Sequence, residues 1–503
     1  MDGILERHGI LAEELEAMPD PAALHAAVEE LIAAVSGEAA AIRAGWTTGP
    51  REGFAAENLS LYLALRRRDL RPLQRALMVL GLSSLGRLEG RVLVALRAVR
   101  ASLAALAGLP AEGRPGPAAF FAGERALAEN TAEVLGPKTE HRPVGLLVTC
   151  PKEAAEGPEF MLALARRGVE AVRINCAHDD AETWARMIAH LRGAERATGH
   201  RMRVLMDLAG PKIRTGKLRL PHGKRVQEGD RLAIVPPGEL KEPAKDEAEF
   251  MAECTLAEVL DMVRPGERVF VDDGKIGAVV ERREPWGLLA RVTQVPGDGA
   301  KLKEEKGLNF PDTALACAAL SDKDREDLDF VARHADGIEY SFVQSAADVA
   351  ALQEELALRR PEDWRRLSLV LKIETERAVR ALPEILARAA AEQPTAVMIA
   401  RGDLAVEIGF ARTAEMQEEI LWLGEAAHVP VIWATQVLER LIKDGVPARG
   451  EMTDAAMAAR AECIMLNKGP HLAAAIDELD VLLRRMGEHQ RKKTPQLRRL
   501  SSW

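Results

Sequence analysis

The pattern of apolar and polar positions changes character once along this chain, near residue 140. Before that point apolar residues recur at helical spacing: Leu24, Val28, Leu31, Ile32 and Val35 share one face. Asp20-Pro21 supplies an N-cap and a proline at the first helical position, and Gly37 is expected to end that helix. A second helical block is predicted from about Asn58 to Ala107, closed by the Gly- and Pro-rich run 108–117. Strand-like alternation does not occur here, so residues 1–140 read as an N-terminal helical domain, either separate or packed on the domain after it.

Beyond residue 140 come short apolar runs separated by helical stretches: Val144 to Thr149, Ala171 to Asn175, Val204 to Asp207, Gly337 to Ser341, Leu369 to Ile373, Ala396 to Ala400, Val431 to Ala434 and Cys463 to Leu466. Eight such strands alternating with helices predict an α/β fold, a (β/α)8 TIM barrel, whose chemistry lies at the C-terminal strand ends. Thr149, Arg173, Asn175, Asp207, Ser341, Lys372, Glu374, Asp403, Thr435 and Asn467 fall at those ends. The third and fourth strands are too far apart for one helix. The interval holds alternating runs (231–235, 268–271, 288–292) and the turn signal Asp273-Gly274, which predict an inserted small β-barrel lid domain. The expected order is residues 1–140 helical, 141–216 the first part of the barrel, 217–304 the lid, 305–490 the rest of the barrel and 491–503 a basic tail.

Composition narrows the function classes. A net charge of −9 argues against bulk nucleic-acid binding, which needs a basic field. Neither a basic, apolar leader at Met1-Asp2-Gly3 nor a membrane-length apolar run is present, and Cys150, Cys176, Cys254, Cys317 and Cys463 are scattered without metal-ligand spacing. A cytoplasmic protein with reduced thiols and no membrane partner is expected. In the helical region Arg66-Arg67-Arg68, Arg71 and Arg75 read as a salt-bridged helix face or an anion site.

Lys372 and Glu374 are two residues apart, so in a strand they point to the same face. Asp403 follows Glu374 by 29 positions, about one βα unit, which sets the two carboxylates on neighbouring strands. Two carboxylates and an ammonium at a barrel mouth suit a divalent cation holding phosphate or enolate oxygens; a surface ion-pair cluster is the plain alternative.

The inserted domain, Lys372-Ile373-Glu374 and Ala400-Arg401-Gly402-Asp403-Leu404, together with Arg173-Ile174-Asn175-Cys176-Ala177-His178, Asp207 through Gly216, Val271-Asp272-Asp273-Gly274, Lys306-Gly307-Leu308-Asn309 and Trp433-Ala434-Thr435-Gln436, resemble the pyruvate kinase family over residues 141–488. The resemblance implies phosphoryl transfer from phosphoenolpyruvate to ADP, giving pyruvate and ATP. It implies Mg²⁺ or Mn²⁺ on Glu374 and Asp403, Lys372 against the transferring phosphoryl, and Arg173 as the phosphate clamp. Gly402 and Asp403 would offer backbone N–H groups to the substrate carboxylate, with Thr435 completing that grip, and Ser341 and Phe342 would form the pocket floor. His178, Arg214 and Lys306 take the nucleotide-side positions.

Several positions depart from the family pattern. Asn175 and Asp207 of the monovalent-cation site remain, but Ala177 and Leu208 replace hydroxyl residues and Lys212 stands at an acidic position. A tethered ammonium there predicts an enzyme that does not require K⁺. The first and last loops, Thr149 to Ala154 and Asn467 to Pro470, are also altered, and the family's C-terminal regulatory domain has no counterpart before Trp503. Any homo-oligomer would then use barrel faces or the helical domain. Two rival functions share these residues: a Mg²⁺-dependent 2-oxo acid lyase or aldolase, and a weakly active metabolite-binding regulator.

Overall fold

The computed structural model of the protein describes residues 4–8, 10, 18–46, 49–51, 54–110, 113–221, 223–241, 247–315 and 318–496. Met1 to Gly3, Cys317 and the basic residues Arg498 and Arg499 lie outside the described residues. Eight parallel strands close into a barrel: β1 (Gly145–Thr149), β2 (Ala171–Asn175), β3 (Arg203–Asp207), β4 (Gly337–Tyr340), β5 (Ser368–Ile373), β6 (Thr395–Ala400), β7 (Val431–Ala434) and β8 (Cys463–Leu466), each paired with its sequence neighbours and β8 with β1. Every predicted strand is present, with ends displaced by at most a residue.

Alternation along the strands sorts side chains into an inner and an outer set. Leu147, Ala171, Leu205, Val370, Met398, Ile432 and Met465 form the apolar inner layer. One step further toward the C-terminal ends, the same inward parity carries Thr149, Arg173, Asn175, Asp207, Lys372 and Glu374. Apolar packing thus fills the barrel's lower half and polar groups its mouth. Helix Ala122–Leu135 closes the lower end, where Val134 and Leu135 join the inner apolar cluster.

The helical region packs on the barrel's outer helices in one continuous core: Leu24, Leu59, Leu77 and Leu96 belong to the same cluster as Leu386 and Ile420. Buried Asn58 spans the join, donating to the carbonyls of Glu89 (2.6 Å) and Ala426 (2.8 Å) and accepting from Val92 N–H (3.0 Å). Asp20 caps helix Pro21–Ala44 as expected, accepting from Ala22 and Ala23. Gly37 does not end that helix. Its buried face continues from Val35 to Ala39, and that packing outweighs the roughly 1 kcal/mol that a mid-helix glycine costs. Within the arginine run Arg68 pairs with Glu38 and Arg71 with Asp69, and Arg66 lies over the Trp422 ring.

Between β3 and β4 the chain forms a seven-stranded sheet that includes Arg231–Val235, Arg268–Val271 and Gly287–Gln294. Its two edges meet, because Thr215 N–H donates to Lys306 C=O (2.7 Å) and Leu308 N–H to Ile213 C=O (2.9 Å), so the sheet curls into a small barrel. Asp272, Asp273 and Gly274 all have positive φ at the turn before Ile276, as the Asp-Gly signal predicts. Among the described residues no helix is long and apolar enough to cross a membrane. Cys150, Cys176, Cys254 and Cys463 are buried and form no disulfide among the described residues.

Candidate active site

The inward parity of β2, β3 and β5 brings Arg173, Asp207 and Lys372 into one buried network. Asp207 Oδ1 accepts from Lys372 Nζ (3.0 Å) and from Ser341 Oγ (3.0 Å), while Oδ2 accepts from Arg173 Nε (3.1 Å) and Nη2. Lys372 Nζ also reaches Ser341 Oγ at 2.6 Å and Glu374 Oε1 at 3.2 Å. Burial works against the Lys372 charge, yet Asp207 and Glu374 prevail and hold its pKa above the ordinary lysine value. The same contest leaves Asp207 below the usual carboxylate range: burial raises it, and Arg173 and Lys372 more than compensate.

Glu374 Oε2 accepts the Phe342 N–H at 2.7 Å. Burial, then the neighbouring Asp403 charge, outweigh Lys372 and push its carboxyl up. Phe342 itself has φ +55°, and Gly210 faces it with φ +66°; a Cβ on Gly210 would stand 2.9 Å from the Phe342 ring. Only glycine fits there. Asp403, in the first turn of helix Arg401–Ile408, forms an ion pair with Lys212 at 3.9 Å. Lys212 therefore turns to Asp403 and not to the Asn175 and Asp207 pair, where the expected cation replacement would have put it.

Gly402 N–H donates to Thr435 Oγ1 at 2.9 Å, so in this state the hydroxyl already takes the donor expected to face a substrate carboxylate. Thr435 and Gln436 both have positive φ, an uncommon backbone for such residues. The Arg401 guanidinium fixes this loop by donating to Ala434 C=O (2.9 Å) and Thr435 C=O (2.6 Å), and it is itself held by Asp454.

The three nucleotide-side positions are spread around the rim. His178 is exposed on the loop after β2. Arg214 Nη1 donates to Glu305 C=O (2.8 Å), and Lys306 Nζ pairs with Asp272 (3.1 Å), which places both where the sheet joins the barrel. Between sheet and barrel lies a cavity of about 490 Å³, lined by Lys212, Asn309, Phe342, Arg380, Asp403 and Glu407.

Two acids in this region are not among the residues that sequence reasoning singles out. Glu339, fully buried on β4, lies opposite Asp207 in register and accepts from Arg173 Nε at 3.1 Å. Burial and the Asp207 charge push its carboxyl up to about 7. The signal is available in the chain, since Glu339 stands two residues before Ser341 and shares its face. Glu407, one helical turn after Asp403, is likewise pushed up to about 7 by burial, with Asn309 Nδ2 at 3.5 Å as a weak partner. Thr149 completes the set, accepting from Arg173 Nη1 at 3.2 Å.

The buried Glu374 and, on the next strand end, Asp403 at the cavity wall, beside a lysine and an arginine that are both locked in ion pairs, suit a divalent cation together with a phosphorylated acid. Similarity to known proteins agrees with that chemistry: the family model described as the pyruvate kinase barrel domain matches residues 135–471. The chain belongs to the pyruvate kinase family. It is 32% identical over 330 residues to a pyruvate kinase of Corynebacterium efficiens, covering 63% of this chain and 65% of that protein. A pyruvate kinase of Geobacillus stearothermophilus is 31% identical over 307 residues, covering 61% and 49% of the two chains. One of Mycobacterium tuberculosis is 30% identical over 326 residues, covering 64% and 65%. The chain thus spans less than two thirds of the length of each of these relatives. Barrel and inserted sheet are the shared part; the helical region before residue 135 lies outside the family match.

Proposed function

We propose that the protein transfers the phosphoryl group of phosphoenolpyruvate to ADP, yielding pyruvate and ATP. The single observation that carries this reading is the buried Lys372, Arg173, Asp207 and Glu374 network at the mouth of a pyruvate kinase family barrel. In the transfer the P–O bond to the enol oxygen breaks and a bond to an ADP β-phosphate oxygen forms, after which the enolate takes a proton at carbon. Catalysis of this kind rests on positioning and charge neutralisation.

Arg173 is the phosphate clamp, prealigned by Asp207, Glu339 and Thr149. Lys372 neutralises charge on the moving phosphoryl, and its partners keep it protonated at neutral pH. Glu374 and Asp403 are hard oxygen donors on adjacent strand ends, a donor set that fits Mg²⁺ or Mn²⁺ completed by substrate oxygens. When bound, the metal would supply Lewis-acid neutralisation of phosphoryl and enolate oxygens. Thr435 releases the Gly402 N–H as substrate arrives, freeing Gly402 and Asp403 to bind the carboxylate, and Ser341 holds Lys372 from below. His178, Arg214 and Lys306 receive the nucleotide. Residues 217–304 act as a lid over a barrel made of 141–216 and 305–490, and residues 1–140 form a helical domain docked on it.

K⁺ is not required in this reading. Both Asp207 oxygens are engaged by Arg173, Lys372 and Ser341. A coupled assay of pyruvate formation, with tetramethylammonium replacing K⁺ at constant ionic strength, should give rates within about threefold of each other. Dependence on K⁺ of tenfold or more would refute this part and leave the phosphotransfer reading standing.

A further inference from the structure

A second cavity, of about 600 Å³, lies at the opposite end of the barrel from Lys372. Its walls come from the segments that enter β1 and β8 (Val144, Glu462), from the helical region (Arg87, Arg91, Glu124) and from a short hairpin, Gln490–Arg491 with Thr494–Pro495. Lys492, at the hairpin turn, pairs with Glu462, and Lys493 pairs with Glu89; these contacts strap the hairpin across the opening.

The charge on the wall is unbalanced. Arg87, Arg91, Lys138, Arg460, Arg491 and Lys492 line it, against Glu124, Glu425 and Glu462. Glu418, behind the wall, pairs with Arg460, which leaves six cations to four carboxylates. One carboxylate, Glu124, is shared by Arg91 (2.6 Å) and Arg491 (3.2 Å). Lys138 is exposed and lines the cavity, and among the described residues its ammonium donates to the Pro143 carbonyl at 2.9 Å. Arg87 uses Nη2 on Glu425 (3.1 Å), and its Nε and Nη1 are buried without a hydrogen-bond partner among the described residues; Nε of Arg91 and of Arg460 are in the same condition. Buried guanidinium donors without acceptors are costly, and one buried carboxylate oxygen nearby, Glu89 Oε2, likewise has no hydrogen-bond partner among the described residues, so the region's polar groups are incompletely paired.

We propose that this cavity binds a small phosphorylated metabolite. Two unmatched positive charges call for a dianion, guanidinium forks fit phosphate oxygens, and the volume is that of a small-molecule site. The polar side chains Gln490 and Gln496 on the same wall are suited to hydroxyl groups of the organic part. Binding would also tie the hairpin to the barrel floor through Arg491.

The test is calorimetric titration of the full chain with glycerol 1-phosphate and, separately, inorganic phosphate, at ionic strength fixed with chloride. The comparison is with the double variant Lys138→Gln, Arg491→Gln. Neither change should unfold the protein, since Lys138 bonds one carbonyl and Glu124 keeps Arg91; an unchanged unfolding temperature checks this. Wild type is expected to show a saturable site for glycerol 1-phosphate that the double variant weakens at least tenfold. Identical isotherms for the two proteins, or no saturable site in wild type, would overturn the proposal. Inorganic phosphate binding that site as tightly as the ester would overturn the assignment to a metabolite.

Discussion

Lys372 keeps its charge in a buried position because Asp207, Glu374 and the Ser341 hydroxyl surround it. Replacing it with methionine removes the cation nearest the proposed phosphoryl path, so Lys372→Met should lower pyruvate formation by at least about 10²–10³-fold, the usual size for a preorganised electrostatic group. Glu339 has a different signature. Its carboxyl holds a proton up to about 7 in the folded protein, against an ordinary 4.5, so the folded state binds the additional proton between those values. The stability it contributes is therefore fully present below about pH 4.5 and is lost as pH rises through about 7. Denaturant unfolding at about pH 5 and about pH 8 should show a smaller loss of stability for Glu339→Gln than for wild type, with the remainder due in part to Glu407; equal losses would contradict this. Lys372, Glu374 and Asp403 are legible from spacing alone, because strand parity and one βα repeat fix their faces. Glu339 lies inside the predicted strand on the face of Ser341, but its partner Arg173 comes from a distant strand and meets it only when the barrel closes. Where Lys212 points is not legible at all: it depends on how the loop after β3 folds back over Asp403, and pattern along a chain carries no such information.

Among the elements, helix Ala122–Leu135 has two tasks. Its end plugs the barrel with Val134 and Leu135, and its start packs against the turn at Gly90. A Cβ on Gly123 would come within 2.0 Å of the Gly90 carbonyl oxygen and 2.7 Å of His428 Nε2. Gly123→Ala should therefore cost about 1–3 kcal/mol, as overpacking does, read as a lower midpoint in denaturant unfolding; an unchanged midpoint would show that this contact yields freely. The eight barrel strands and the three runs of the inserted sheet are visible in the sequence because apolar runs bounded by Gly, Pro and polar residues are local signals. The course of helix Pro21–Ala44 past Gly37 is not, because the face that sustains it is buried against other helices, a long-range effect.

At the scale of the molecule, the polar barrel mouth lies under the inserted sheet, and the charged floor lies under the helical region and the hairpin. Likeness to the pyruvate kinases is carried by ordered motifs, whereas the continuous core joining helices and barrel, and the cavity between them, arise only once distant segments meet. The central claim is phosphoryl transfer at the mouth. It is tested most directly by ³¹P NMR of the full chain with phosphoenolpyruvate, ADP and Mg²⁺. The phosphoenolpyruvate resonance should decline as the γ-phosphate resonance of ATP grows in equal amount, and the conversion should all but vanish in Lys372→Met. Consumption of phosphoenolpyruvate without ATP, or no conversion by wild type with or without K⁺, would contradict the account.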